Sequence, residues 1–290
     1  MQMWTRVLVR RICTLLLTAL LGGILGATLV RFAPGFGVDE RELDTRLRED
    51  SVQALRQSHS NERNLLKFYG AYLGGVLHGD LGVSHSFARP IAGLFAERLP
   101  VTLRTVALGL AGGWLFGILL ALPAATIWWW GYDLSACTLS GIFLCLPSAV
   151  VAILFLYLGG PVGLAVCVVV FPRVFQYTRN LFLHTFALPH VLTARAKGLS
   201  GTRIFLWHIV PVAAPQLLAL TGVSVSIALG AAIPIEVICD SPGIGQLAWQ
   251  AALSRDLPLL VNVTLFVTLV TLIANSASDL TSTALVKREP

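Results

Sequence analysis

The side chains that could do chemistry in this 290-residue sequence form few of the patterns that enzymes use. The six histidines are scattered, and no HExxH or GxSxG motif indicates a metalloprotease or a serine hydrolase. Gly-Lys never occurs as a dipeptide, which excludes the phosphate-binding loop of nucleotide hydrolases. The five cysteines lack CxxC or other metal-ligand spacing and are interpreted as small buried hydrophobic residues. We therefore expect no catalytic residue, metal site or cofactor on this chain, with an intramembrane enzyme as an alternative.

The strongest polar feature is a basic island, residues 179–211, which is rich in Arg, Lys and His and lies between apolar segments. No Asp or Glu occurs from Leu134 to Ile235. Inside the island a helical pattern is broken by Gly198, and glycine permits the positive φ of a sharp turn. This order predicts a short helix parallel to the membrane that makes charged contacts with a cytoplasmic partner. The candidate residues are Ala194, Arg195, Ala196, Lys197, Gly198 and Pro211.

A second polar pair, Asn275 and Asp279, lies in an apolar segment near the end of the chain. Its spacing of i and i+4 places both side chains on one helix face. Ionisable groups in hydrocarbon are costly and usually face a partner or a water-filled path. We interpret the pair as a pathway or interhelical contact; the alternative is that Asp279 is solvated at the inner interface. Asp279 is also the only acid that we place well inside a span, which excludes a pair of catalytic aspartates.

The elements that position these residues are predicted to be membrane spans. Only 12% of the residues are charged and 56% are hydrophobic, whereas soluble domains carry about 25% charged residues. The formal net charge of +6 is concentrated in short loops beside apolar segments, as the positive-inside rule describes. No basic face interleaved with aromatic residues indicates base stacking. We therefore expect the lipid bilayer as a partner and nucleic acid as none.

Six apolar segments are long enough to cross a bilayer core of about 30 Å. Basic residues at the start of the chain, in the island and at Lys287 and Arg288 predict that both termini are cytoplasmic. Pro147 predicts a kink in the third span, and the WWWGYD segment from Trp128 predicts a membrane boundary. The sequence thus indicates an all-α membrane protein with one domain over residues 1–290. The predicted spans are residues 12–30, 101–127, 134–158, 162–182, 212–235 and 259–285, with an outer amphipathic region at 31–100 and a cytoplasmic loop at 183–211.

Residues 193–211, TARAKGLSGTRIFLWHIVP, resemble the cytoplasmic coupling loop, or EAA motif, of ABC-importer permeases. Three further stretches resemble the first permease subunit of dipeptide, oligopeptide and nickel importers. They are GGVLHGDLGVSHSFARPIAGLFAERLPVTL, EVICDSPGIGQLAWQAALSRDLP and the NxxxD pattern of the sixth span, and together they cover most of the chain from Tyr69 onward. The outer-loop signature residues are Gly79, Asp80, Leu81, Gly82, Pro242, Gly243, Gly245 and Asp256.

This resemblance implies a type I ABC importer permease fold in the bacterial inner membrane. It implies a non-catalytic subunit that couples ATP hydrolysis to the import of peptides or related small solutes. The implied partners are a second homologous permease subunit, two cytoplasmic ATP-binding subunits and an extracytoplasmic substrate-binding protein. ATP-Mg would then be held by the ATP-binding subunits, and no cofactor by this chain.

The sequence departs from the family pattern at three places. Leu192 stands where the general motif begins with Glu, and Arg104 stands where relatives often carry an acid. Only Gly159, Gly160 and Pro161 remain of a longer outer segment between the third and fourth spans. This short turn leaves open whether the solute is a peptide, nickel or another molecule. A non-transporting subunit for assembly or sensing is a further alternative.

Overall fold

The computed structural model describes residues 79–126 and 130–286, together with residues 17, 21, 28 and 75. Most of the first predicted span, residues 12–30, and the greater part of the outer region 31–100 lie outside the described residues. So do Trp128 and Trp129 of the predicted boundary and the basic end at Lys287 and Arg288. Within the described part the chain is helical, apart from one antiparallel bridge between Val83 and Pro90.

The helices follow one another with short connections. Among the described residues, four stretches are long and apolar enough to cross a membrane, and a bent helix pair is a fifth if it counts as one span. The helices are α1 (Ile91–Thr126), α2 (Trp130–Cys145), α3 (Ser148–Leu158), α4 (Val162–Phe186), α5 (Pro189–Ala196), α6 (Gly201–Ile204), a π-helical turn (Phe205–Ile209), α7 (Val210–Ile238), α8 (Ile244–Leu253) and α9 (Leu257–Val286). The four long stretches are α1, α4, the run from α6 through α7, and α9.

The second predicted span begins earlier in the structure than in the sequence analysis. Helix α1 starts at Ile91 and contains Pro100, which we had placed at the end of the outer region. A proline inside a helix removes one hydrogen bond. Ile91 and Leu94 are buried in the added turns, and this apolar burial offsets the lost bond.

The third predicted span is not one kinked helix but two helices, α2 and α3, at an angle of 97°. Pro147 is the N-cap of α3, with φ −60° and ψ 143°. A proline disfavours the helical conformation of the residue before it, so α2 ends before Leu146. The bend therefore interrupts the helical pattern of backbone hydrogen bonds in the middle of an apolar segment.

The described residues group into two compact units. The first unit comprises residues 79–99 and 247–269, and the second comprises 100–126, 130–246 and 270–286. In the first unit, the rings of Phe95 and Phe266 meet edge to face with centroids 5.4 Å apart. The largest core cluster of the second unit joins residues of α1, α3, α4 and α7, including Val106, Ala152 and Leu229.

A row of three glycines in α1 lets that helix approach α4 closely. Gly109, Gly113 and Gly117 recur at four-residue intervals and are buried. A Cβ atom built at Gly109 would lie only 2.4 Å from Cγ1 of Val166, and the other two glycines face Val170 and Val174 in the same way. Small residues at this spacing allow helices to associate in a membrane through backbone contact.

We expect Gly109→Ala to destabilise the protein, although alanine favours helix formation over glycine by about 1 kcal/mol. The added methyl group must displace Val166 or separate α1 from α4, and overpacking of this kind costs about 1–3 kcal/mol. Thermal unfolding of the detergent-purified protein, followed by size-exclusion chromatography, measures the effect. Gly93→Ala is the matched control, since a Cβ atom at Gly93 of the same helix meets nothing within 4 Å. Equal unfolding temperatures for the two variants would contradict the close helix approach.

Candidate functional site

The short helix predicted in the basic island is present as α5. Pro189 is its first residue, where the missing N–H costs nothing, and Leu188 precedes it in an extended conformation. Val191 and Ala194 are buried, three positions apart on one face. They pack into a core cluster with Leu181, Phe182, Ile204, Ile209 and Ala213. One face of α5 is therefore anchored to the second unit, and the opposite face is left at the surface.

Helix α5 ends in a glycine turn. Gly198 has φ +74°, a left-handed conformation that L side chains rarely adopt. The Gly198 amide donates to the Arg195 carbonyl at 2.9 Å, and the Leu199 amide donates to the Ala194 carbonyl at 3.3 Å. These bonds satisfy carbonyl groups at the end of α5 and turn the chain into α6. The predicted role of Gly198 as a turn residue thus has a direct geometric basis.

The residues predicted to contact a partner do not all face outward. Arg195, Ala196 and Lys197 are exposed, and the Arg195 guanidinium lies 5.9 Å from the centre of the Phe186 ring. Ala194 is only 3% exposed. Its small size therefore serves the packing of α5 onto its own chain, not the approach of a partner. Pro211 is exposed and lies at the start of α7.

The return from α6 to α7 passes through a π-helical turn, Phe205–Ile209. Such turns add one residue to a helical turn and occur frequently at functional sites. Here the turn leaves Leu206 and Trp207 exposed, with Trp207 at 75%. The ring of His208 stacks on the ring of His190 of α5, and the His208 carbonyl lies 3.3 Å from Nε2 of His190. The turn and α5 therefore hold each other in place beside an exposed apolar patch.

The first basic residue of the island is used inside the protein. Arg179 of α4 donates from two guanidinium nitrogens to the carboxylate of Asp133 in the first turn of α2. Both side chains are partly buried, and this bidentate geometry is the strong form of an ion pair. The pair therefore joins α2 to α4. Arg179 thus contributes to the packing of its own chain as well as to the excess of basic residues in the island.

The first outer signature, Gly79 to Gly82, is tied to Asn262 within the first unit. Gly79 and Gly82 have positive φ, and the Asp80 carboxylate accepts a bond from the Gly82 amide at 2.9 Å. The Leu81 carbonyl accepts a bond from Asn262 at 3.0 Å. The signature residues therefore form a tight turn that is fastened to α9.

Asp256 is 2% exposed and fastens the same loop at a second point. Its Oδ2 atom accepts bonds from the hydroxyl groups of Ser84 and Ser86, at 2.5 and 2.7 Å, and from the Ser86 amide at 2.9 Å. Its Oδ1 atom accepts a bond from the Leu259 amide and so caps α9. The sequence analysis had named Asp256 but neither serine. Their Ser-x-Ser spacing, which begins two residues after the end of the GDLG motif, was the available signal.

The second signature, Pro242 to Gly245, packs around the carboxylate of Glu236, which lies one residue beyond the predicted fifth span of residues 212–235. Glu236 is fully buried within α7, which runs three residues beyond the predicted end of the fifth span. Its Oε2 atom accepts a bond from the Gly245 amide at 2.7 Å. A Cβ atom at Gly243 would lie 2.2 Å from the same oxygen. Asp279 is therefore not the only acid inside a long helix, and the glycines are explained by close approach to Glu236.

Asn275 and Asp279 have different surroundings despite their shared spacing. Asn275 donates to the Ser226 hydroxyl of α7 at 3.0 Å, and Gly222 allows this close approach. Asp279 is exposed on α9. The geometry of Asn275 corresponds to the interhelical interpretation. Asp279 lies at the helix surface, and no pair function follows from the arrangement. Within the described residues, no group of three His, Cys, Asp or Glu side chains is arranged to hold a metal ion.

The long apolar helices are those of a protein that crosses a membrane several times. Residues 99–289 match the family described as the binding-protein-dependent transport system inner membrane component. The chain belongs to this family, the permease subunits of ABC importers, and is a multi-pass protein of the bacterial inner membrane.

Relatives with assigned names are similar along most of their length. The chain is 29% identical to the oligopeptide transport system permease protein OppB of Escherichia coli, and the match covers 82% of this chain and 84% of OppB. It is 24% identical to the dipeptide transport system permease protein DppB of Haemophilus influenzae, covering 87% of this chain and 89% of DppB. The fold is similar to that of an inward-facing MetNI methionine ABC transporter chain, with a TM-score of 0.54, 16% identity and coverage of 64% of this chain and 95% of that chain.

We expect Asp256→Asn to destabilise the first unit. Asparagine keeps the shape of the side chain but can accept bonds at only one of the two terminal positions, so either the α9 cap or the serine contacts are lost. An unsatisfied buried group costs about 1–3 kcal/mol. A lower unfolding temperature and faster protease cleavage between residues 79 and 90 are the expected observations. Asp240→Asn is the matched control, since Asp240 is exposed and bonds only with Gln246 among the contacts resolved here. Identical cleavage rates for the two variants would refute the fastening role of Asp256.

Proposed function

We propose that this chain is the first permease subunit of an ABC importer for peptides or related small solutes. Its relatives OppB and DppB carry the names of oligopeptide and dipeptide transport systems and are similar over most of their length. The two outer signatures, which the sequence shares with that branch, form fastened loops in the structure. Nickel or another small solute stays the alternative substrate. The short Gly159–Pro161 turn between α3 and α4 is the feature that leaves the identity of the substrate undecided.

The single observation that carries the proposal is the seating of α5. Its buried face is anchored through Val191 and Ala194, while Arg195 and, one residue beyond the end of the helix, Lys197 are exposed. A rigid helix with an exposed basic end beside the apolar residues Leu206 and Trp207 is suited to a groove on a second protein. We infer that this surface receives a cytoplasmic ATP-binding subunit, which holds ATP-Mg and hydrolyses it. The permease itself carries no catalytic group in this proposal.

The proposal includes an arrangement of six spans with both termini in the cytoplasm, forming one permease domain. Five of these spans correspond to α1, the α2–α3 pair, α4, the run from α6 to α7, and α9. The basic island then lies on the cytoplasmic side, and the two signatures lie on the outer side. A second homologous permease, two ATP-binding subunits and an extracytoplasmic substrate-binding protein complete the assembly.

Reversal of the two exposed charges should remove the ATP-binding subunit. We expect Arg195→Glu/Lys197→Glu to weaken its capture by about tenfold or more, because unlike charges become like charges at the contact. A pull-down of the tagged chain in mild detergent, read by mass spectrometry, measures the loss. Arg255→Glu, which makes the same change on the proposed outer side, should leave capture unchanged. If the double variant still brings down the ATP-binding subunit, the contact lies elsewhere. If the unaltered chain brings down no ATP-binding subunit, the importer proposal itself fails.

A rigid turn after α5 should be needed for coupling. Proline cannot adopt the φ of +74° found at Gly198 and cannot donate to the Arg195 carbonyl. We expect Gly198→Pro to lower peptide uptake by roughly tenfold or more, in line with a coupling free energy of about 1–3 kcal/mol. Uptake and ATP hydrolysis are compared in membrane vesicles at equal protein levels. Gly201→Pro is the matched control because Gly201 is the first residue of α6, where proline fits. Normal uptake by Gly198→Pro would exclude this role for the turn.

A further inference from the structure

Arg173 occupies a position in α4 where a charge needs an explanation. It follows Val162 by three helical turns and lies about 17 Å along the helix from that end. It is nevertheless exposed on the surface of the chain, and no carboxylate in the described residues pairs with it. A charged side chain at this depth faces a partner, a bound ligand or a water-filled path, because hydrocarbon solvates it poorly.

A cavity of about 430 Å³ lies beside Arg173 in the second unit. Its walls come from α2, the Leu146–Pro147 break, the first residue of α3, α4 and α7. Ser226 and Gly230 form the wall on α7, and a Cβ atom at Gly230 would meet nothing within 4 Å. The space is therefore open on that side, and Arg173 is the one charged residue among its lining residues.

The break between α2 and α3 adds hydrogen-bond donors to the cavity. Pro147 and Ser148 line it, and they are the N-cap and first residue of α3. Pro147 offers no side-chain cap, and the Ser148 amide has no backbone acceptor among the described residues. The N-terminus of a helix carries a partial positive charge and free amides that bind anions. Broken helices inside membrane transporters use this arrangement to hold the carboxylate of a solute.

The remaining polar wall does not supply a competing positive or negative charge. The Ser226 hydroxyl donates to the Gly222 carbonyl at 3.1 Å and accepts from Asn275 at 3.0 Å, so its proton is already committed. Asn275 therefore holds the Ser226 hydroxyl in place by this hydrogen bond. The donors left for a ligand are the Arg173 guanidinium and the start of α3, and both favour an anion.

We propose that Arg173 and the N-terminus of α3 form an anion-binding subsite in the translocation path, which takes the carboxylate of the solute. This inference rests on the proposed importer function, and for a peptide the group is its C-terminal carboxylate. Arg173 would then determine specificity, since a guanidinium matches a carboxylate in shape and charge. The subsite releases its ligand readily because only one full charge holds it, as conduction along a path requires.

Cys145 lines the same cavity and gives a direct test. In vesicles that hold the chain with its copurifying subunits, Cys145 is labelled by the anionic reagent 2-sulfonatoethyl methanethiosulfonate or by its cationic trimethylammonium counterpart. Mass spectrometry reads the label at Cys145, so the other cysteines stay in place. We expect the anionic reagent to react faster and Arg173→Gln to lower the anionic-to-cationic rate ratio by about tenfold. Arg173→Lys should retain most of this preference. Arg104→Gln, an equal charge loss outside the cavity, should leave it unchanged.

A second arm uses trialanine and its C-terminal amide as competitors. Protection of Cys145 by trialanine but not by the amide, lost in Arg173→Gln, is the expected result. Equal rates for the two reagents, an unchanged ratio in Arg173→Gln, or no labelling in the assembled complex would overturn the subsite. Protection by both peptides to the same extent would overturn the carboxylate assignment. Charge selectivity at Cys145 without protection or uptake of either peptide would instead support the anion subsite and refute the peptide substrate.

Discussion

The structure depends on one constraint, which is that polar groups inside a membrane find their partners within the protein. The buried carboxylates meet it to different extents, since Oε1 of Glu236 has no hydrogen-bond partner among the described residues. Asp256 accepts bonds from two serines and from the start of α9, whereas Glu236 receives the Gly245 amide and the close backbone of Gly243. Each carboxylate thereby fastens a surface loop to a long helix. The outer signatures are accordingly structural devices that hold loops at fixed positions.

The same constraint explains how α5 of the basic island is held rigidly while the charges of Arg195 and Lys197 stay exposed. Arg179 is paired with Asp133 and so belongs to the packing of α2 against α4. Val191 and Ala194 anchor α5 on its apolar side, which leaves Arg195 and Lys197 at the surface. Under the proposed coupling, a force applied to those two residues would reach α4 and α7 through packed side chains, since residues of both helices share one core cluster with Val191 and Ala194. A rigid lever of this kind suits a subunit that converts the closure of a partner into motion of its spans.

Arg173 differs from the buried carboxylates because it lies in the apolar helix α4 and lines a cavity. Its charge has no carboxylate partner in the described part of the chain, and the break at Pro147 leaves helix amides beside the same cavity. Binding of one anion in this cavity would account both for the charge of Arg173 and for the free amides at the start of α3.

The sequence by itself determined the membrane class, the approximate positions of the later spans and the turn at Gly198, because composition, span length and glycine preference are local properties. It also indicated the outer signatures and Asn275. Only the tertiary structure decided that α2 and α3 separate at Pro147, that Ala194 faces inward, and that Glu236 is buried against Gly243. These outcomes depend on which distant segment packs against each residue. A boundary drawn from hydropathy cannot distinguish an acid in water from one enclosed by a glycine turn.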